Sequence, residues 1–102
     1  MTTLVVLFNL KPDADQQAYE QWARQTDLPT VKALSSIDCF EVLKTQSMLM
    51  SDQPPPYQYI ELIEVGDMVK FGQEVASANM QRVAREFQAF ADNPLFILTE
   101  HI

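Results

Sequence analysis

The sequence predicts an α+β domain of ferredoxin-like plan, βαββαβ, with helices covering one face of an antiparallel sheet. Three observations carry this expectation. Four segments rich in β-branched and large apolar residues read as strands, amphipathic stretches at helical spacing separate the first from the second and the third from the fourth, and the strands are apolar on both faces. With 102 residues, 47% of them hydrophobic, residues 1-102 make one domain with a sizeable core.

Strand one is Thr3 to Leu10, TLVVLFNL, ended by the turn signal Lys11-Pro12-Asp13. Asp13 followed by Gln16 reads as a helix start, and Ala18, Tyr19, Trp22, Ala23 and Thr26 share one stripe, so the first helix is expected over about 14–26. Pro29 limits it, because its ring lacks the N–H and disfavours a helical Leu28; Val31 and Leu34 suggest one further turn. Ile37 to Met50 reads as a long second strand that turns polar through Lys44, Thr45 and Gln46, as an exposed edge does. Pro54-Pro55-Pro56 is a stiff connector. The third strand, Tyr57 to Val65, alternates Tyr57, Tyr59, Glu61 and Ile63 on one face with Gln58, Ile60, Leu62 and Glu64 on the other, and pairs with the second as a long-looped hairpin. Gly66-Asp67 opens a helix bearing Met68, Phe71 and Val75. After Ser77-Ala78-Asn79 another helix bears Met80, Val83, Ala84, Phe87 and Phe90, is stopped by Asn93-Pro94, and leads into strand four, Leu95 to Ile102.

Helices can cover only one face of such a sheet. In strand one, Leu4, Val6, Phe8 and Leu10 line one side and Val5 and Leu7 the other; in strand four, Leu95 and Ile97 oppose Phe96 and Leu98. Sheet-to-sheet pairing of two copies would bury the second face, so a homodimer of the dimeric α/β barrel type is expected.

Seven Lys and Arg against fourteen Asp and Glu leave a formal charge of −7, which disfavours nucleic acid and anionic membrane surfaces as partners. The run Leu4 to Leu10 is broken by Asn9 and reads as a strand rather than a targeting segment, so a cytoplasmic location is expected. One cysteine, Cys39, and one histidine, His101, cannot build a Cys/His zinc site, and no metal is expected. Cys39 itself reads as a packed thiol. The glycines Gly66 and Gly72 form no phosphate-cradling loop, so an enzyme on this chain would work without a cofactor.

Four features could carry chemistry. His101, in the closing stretch PLFILTEHI, has the one side chain that ordinarily titrates near neutrality, which makes it a candidate acid or base; its neighbour Glu100 points to the opposite face of a regular strand. Asp27, in QTDLPTV, reads either as a turn aspartate bonding local amides or as a carboxylate held at the mouth of a cleft by the rigid Leu28-Pro29. Tyr19, Trp22, Tyr57 and Tyr59 are amphipathic aromatics that pack as core or line a cavity for a flat aromatic ligand with polar edges. Asn9 and Glu61 interrupt apolar strand faces and must find partners if buried.

Residues 19–45, YEQWARQTDLPTVKALSSIDCFEVLKT, together with the closing FQAFADNPLFILTEHI, resemble the RedY-like, HapK-type family associated with prodiginine pigment clusters, over nearly the whole chain. The resemblance implies a dimeric α/β barrel acting on pyrrolic intermediates. Many broader relatives carry a histidine before Leu-Pro or Ala-Pro at the end of the first helix, where this sequence has Asp27. The leading expectation is therefore a cofactor-free enzyme in which His101 moves a proton, Asp27 or Glu61 orients it, and Asn9, Tyr19, Trp22, Tyr57 and Tyr59 hold a small aromatic or pyrrolic ligand. The alternative is a non-catalytic carrier that delivers the intermediate to a condensing enzyme.

Overall fold

Residues Met1–Ile102 are all described by a computed structural model. In chain order they form β1 (Thr2–Leu10), α1 (Gln16–Trp22), a π-helical turn (Ala23–Asp27), α2 (Leu28–Lys32), β2 (Ile37–Lys44), β3 (Tyr59–Val65), α3 (Met68–Glu74), α4 (Ala78–Phe90) and β4 (Ala91–Glu100). The strands make one antiparallel sheet in the order β2-β3-β1-β4, the ferredoxin-like arrangement expected. Register places Val42, Glu61, Val6 and Phe96 in one row across the helix-covered face.

The first helix departs from expectation in an informative way. Its start is Asp15, not Asp13, and no side chain caps it. Pro29 does not end the helical run: α2 continues through it. In an α-helix the proline ring would meet the carbonyl four residues back. Here the turn just before it is wide, with the Leu28 N–H donating to the Ala23 carbonyl five residues back. The added residue also changes which side chains face inward. Tyr19, Ala23, Asp27 and Val31 are all buried, a spacing of four that a regular 3.6-residue helix would rotate out of line. Ala18, expected on that stripe, is exposed.

The second half follows the sequence more closely. Asp67 Oδ1 accepts from the Lys70 N–H (3.0 Å) and Ser77 Oγ from the Met80 N–H (3.2 Å), so both helix starts carry side-chain caps. β2 is an edge strand as expected, but it stops at Lys44, and residues 45–50 are not strand. β3 begins at Tyr59, which leaves Tyr57 outside it. β4 begins at Ala91 rather than Leu95, so Asn93-Pro94 lies within a strand. The pairing slips between Leu7 and Asn9, and Asn93 takes a positive φ of 46°. A proline is tolerated there because β4 is the other edge and the ladder is already broken by a bulge.

The core lies between sheet and helices. Phe8 stacks on Tyr59 (centroids 5.5 Å apart) and meets Tyr19 and Phe87 edge-on at 5.6 and 4.9 Å. Complete burial of each such ring contributes about 1.5–3 kcal/mol. The far face of the sheet has no helix: Val5, Leu7, Ile60 and Leu62 are half-buried there, while Leu43, Leu95 and Ile97 are exposed.

Candidate functional site

Between the sheet and α3 and α4 lies a cavity of about 150 Å³, walled chiefly by Val6, Ile63, Phe71, Val83, Phe87 and Phe96. Two carboxyl groups interrupt this apolar lining, Asp27 from the π-helical turn and Glu61 from β3, each only 5% exposed. Asp27 reaches the cavity because the wide turn keeps it in line with Tyr19 and Ala23; Glu61 does so because β3 alternates and Tyr59, Ile63 and Val65 share its face.

The two groups are hydrogen-bonded to one another, with Glu61 donating and Asp27 accepting. Burial pushes the Asp27 carboxyl up to about 7, opposed in part by that bond. Burial likewise raises Glu61 well above the usual carboxylate range, and the neighbouring Asp27 charge raises it further. The pair therefore shares a proton near neutral pH and titrates as a unit. No Lys, Arg or His lines the cavity, and both ion pairs of the chain belong to Glu20. Glu61 Oε2 and the hydroxyl of fully buried Tyr19 each lack a hydrogen-bond partner. Burial, and then the Glu61 and Asp27 charges, hold the Tyr19 phenol protonated.

The other sequence-based candidates are distributed differently. Tyr59 donates its hydroxyl to Glu20 Oε2 (2.6 Å), and Glu20 also pairs with Lys44 (3.0 Å) and Arg24 (3.6 Å). The Tyr59 and Lys44 hydrogen bonds hold Glu20 below its ordinary value, while burial first and Glu20 second push Tyr59 up to about 12. Tyr59 and Tyr19 face a second hollow, of about 130 Å³, on the other side of the helical run. Trp22 is half-buried against Tyr19, Phe87 and Phe90, with its indole N–H donating to Glu86 Oε1 (2.8 Å). Asn9 latches the β2–β3 connection: Nδ2 donates to the Pro56 carbonyl (3.1 Å) and Oδ1 accepts from the Gln58 N–H (3.0 Å). Tyr57 does not join Tyr59 and Glu61 on their face; it lines a hollow with Leu7 and Ile60 on the uncovered side of the sheet.

His101 is likewise not brought to the carboxyl pair. It lies beyond β4, exposed, with Nε2 3.2 Å from Thr3 Oγ1. Thr3 alternates with buried Leu4, so this contact is on the uncovered face, whereas Glu100 follows Phe96 and Leu98 on the other. Most of the cavity wall was not singled out from sequence as site residues, Phe71, Val83, Phe87 and Phe96 among them. Their helical spacing marked the first three as buried, but an apolar stripe does not distinguish a cavity wall from solid core.

No group of three or more His, Cys, Asp or Glu side chains gathers as a metal site, and no helix is long and apolar enough to cross a membrane. What the carboxyl pair can do is hold one exchangeable proton, donating from the protonated member and accepting at the ionised one, inside a ring-sized apolar space.

Solved structures share this fold at low sequence identity. HapK from Hahella chejuensis matches with a TM-score of 0.78 and 23% identity over 100% of this chain and 93% of its own. The Arabidopsis thaliana protein At3g17210 matches at 0.82, with 16% identity over 100% and 96%. SnoaB, a cofactor-independent oxygenase from Streptomyces nogalater, matches at 0.77, with 14% identity over 98% and 91%. No curated protein matches in sequence. The family model described as REDY-like protein HapK matches residues 2–102, and with the whole domain so covered the chain belongs to the REDY-like HapK family.

Proposed function

We propose that this protein is a cofactor-independent acid/base protein of bacterial prodiginine pigment biosynthesis, in which Asp27 and Glu61 move a proton on a pyrrolic intermediate and promote condensation or dehydration. The observation that carries this reading is the proton-sharing carboxyl pair in an apolar cavity of about 150 Å³. A space of that size takes one benzene-sized ring. Membership of the HapK family and a fold shared with an antibiotic biosynthesis monooxygenase and a cofactor-independent oxygenase favour small-molecule chemistry of this kind.

The chemistry balances on the two groups. A pyrrole carbon bonds to an aldehyde carbon as Glu61 gives its proton to the carbonyl oxygen, which becomes a hydroxyl. Ionised Asp27 takes the proton from the substituted ring carbon and returns it to the hydroxyl as water leaves; the N–H of the resulting conjugated cation then gives its proton to ionised Glu61, which leaves a neutral product and restores the pair. The intermediate formed by attack is cationic, and an ionised carboxylate in an apolar wall stabilises it more strongly than water does. Tyr19 and Trp22 support the helical run that carries Asp27. The uncovered sheet face suits a second copy of the chain, and light scattering at micromolar concentration should return a dimer.

A carrier role is favoured by one feature: the cavity opens past Phe96, 58% exposed on an edge strand, where a ligand could be handed on. Mass spectrometry of chelator-treated protein with prodiginine aldehyde and monopyrrole precursors separates the two. A rate above the protein-free control that is lost in Asp27→Asn supports catalysis. No rate increase, with binding still reported by Trp22 fluorescence, supports the carrier.

A further inference from the structure

The pair as built is short of one thing, a positive partner. Asp27 and Glu61 bring two carboxyl groups with one proton between them, so the cavity carries a single negative charge once Asp27 ionises. A buried carboxylate without a cation is costly, and most are paired. The neighbouring elements supply none. From α1 the group beside the pair is the Tyr19 phenol; Glu20 and Tyr59 lie beyond Tyr19, with Lys44 and Arg24 already engaged on Glu20. α3, α4 and β4 offer Phe71, Gln88 and Phe96, and α2 offers Val31, none ionisable. Glu61 Oε2, on a side chain 95% buried and facing the cavity, receives no donor, and neither does the Tyr19 hydroxyl. The walls that remain are flat aromatic or aliphatic.

We propose that this cavity selects its ligand as a planar N–H cation, an amidinium- or iminium-like group on a conjugated ring, which supplies the missing positive charge to the Asp27–Glu61 pair. The inference rests on the small-molecule reading above and deepens it by fixing the charge state in which the ligand is held. A planar cation with two N–H donors satisfies two carboxyl oxygens at once, and its ring lies in the cavity against the apolar wall to which Phe87 and Phe96 belong. Binding is therefore tied to ionisation of Asp27 and tightens as pH rises through about 7.

The test uses three near-isosteric probes, benzamidinium, benzamide and benzoate, titrated against the full chain by ligand-observed NMR at pH 6 and pH 8. The expected result at pH 8 is benzamidinium bound about tenfold or more tightly than benzamide, the equivalent of one charge-assisted hydrogen bond, with benzoate rejected. That preference shrinks at pH 6 and disappears in Asp27→Asn and in the Asp27→Asn/Glu61→Gln double variant, while benzamide binding persists and reports an intact fold. Benzamide binding as well as benzamidinium, a preference that survives the double variant, or no binding of any probe to the unaltered chain would overturn the inference. Should a variant not fold, the ranking of probes on the unaltered chain at the two pH values decides. A cation preference without turnover would sink the catalytic proposal alone; turnover without the preference would sink this inference alone.

Discussion

Glu61, on central strand β3, donates a hydrogen bond to Asp27 at the end of a π-helical turn, and the two carboxyls meet with no cation beside them. Neither element alone makes a site. The strand supplies a polar residue in an apolar row between Val42 and Val6, and the wide turn supplies its partner from the helical layer above.

Asp27→Asn should lower turnover by about 10²–10⁴-fold, the usual contribution of one positioned acid or base. Ligand binding by a neutral probe should persist, because the cavity walls are unchanged. His101→Ala should leave turnover as it was, since His101 sits with Thr3 on the opposite face. Steady-state kinetics on the two variants checks both statements.

Stability should depend on pH in a direction opposite to that of a typical salt-bridged domain. Asp27 has a folded value of about 7 against 3.8 when free, so its contribution is full below about 4 and is lost as pH rises to about 7. The slope over that window is at most about 1.4 kcal/mol per pH unit for one proton. Glu74 acts the other way. Hydrogen bonds from Ser36 and Ser35 lower it to about 2, so its contribution is present above about 4.5 and lost as pH falls through 2. Urea denaturation from pH 3 to pH 8 should show stability falling between about pH 4 and pH 7, and Asp27→Asn should flatten that limb.

Tyr59→Phe should keep most activity. Its hydroxyl serves Glu20 rather than the cavity, so the expected loss is about 1 kcal/mol of stability, measured by urea denaturation. A carboxyl NMR titration of the same variant should find Glu20 closer to its ordinary value, since the Tyr59 bond is the largest influence lowering it.

The two phenylalanines of the cavity should separate stability from binding. Phe87 is buried against Phe8 and Trp22, and Phe87→Ala should cost about 3–5 kcal/mol. Phe96 is largely exposed at the mouth, so Phe96→Ala should weaken ligand binding with little change in the denaturation midpoint. Calorimetric titration and urea denaturation of both variants check this.

Element order and the edge position of the second strand were legible because they rest on local signals: strand-forming runs, the Asp67 and Ser77 helix starts, and a second strand that turns polar. What escaped depends on contacts distant in sequence. Pro29 reads as a helix stop, and only packing of Asp27 against Glu61 and the wide turn before the proline reveal that the helix passes through. Asn93-Pro94 reads as a break because nothing local marks an edge strand able to absorb a bulge. Tyr57 fits the alternation of β3, but the strand starts two residues later. Asp27 and Glu61 were each visible as candidates, since a carboxylate before Leu-Pro and a charge in an apolar strand are local oddities; their pairing was not. His101 drew notice by its chemistry, and strand parity then placed it on the other face.

The most direct test of the shared proton is a ¹³C carboxyl NMR titration of Asp- and Glu-labelled protein, with Asp27 and Glu61 assigned by the Asp27→Asn and Glu61→Gln variants. A shared proton requires the Asp27 resonance to move near pH 7, the Glu61 resonance to move above the usual carboxylate range, and each to shift when the other is substituted. Two independent transitions near the ordinary carboxylate values, unaffected by substitution of the partner, would contradict it.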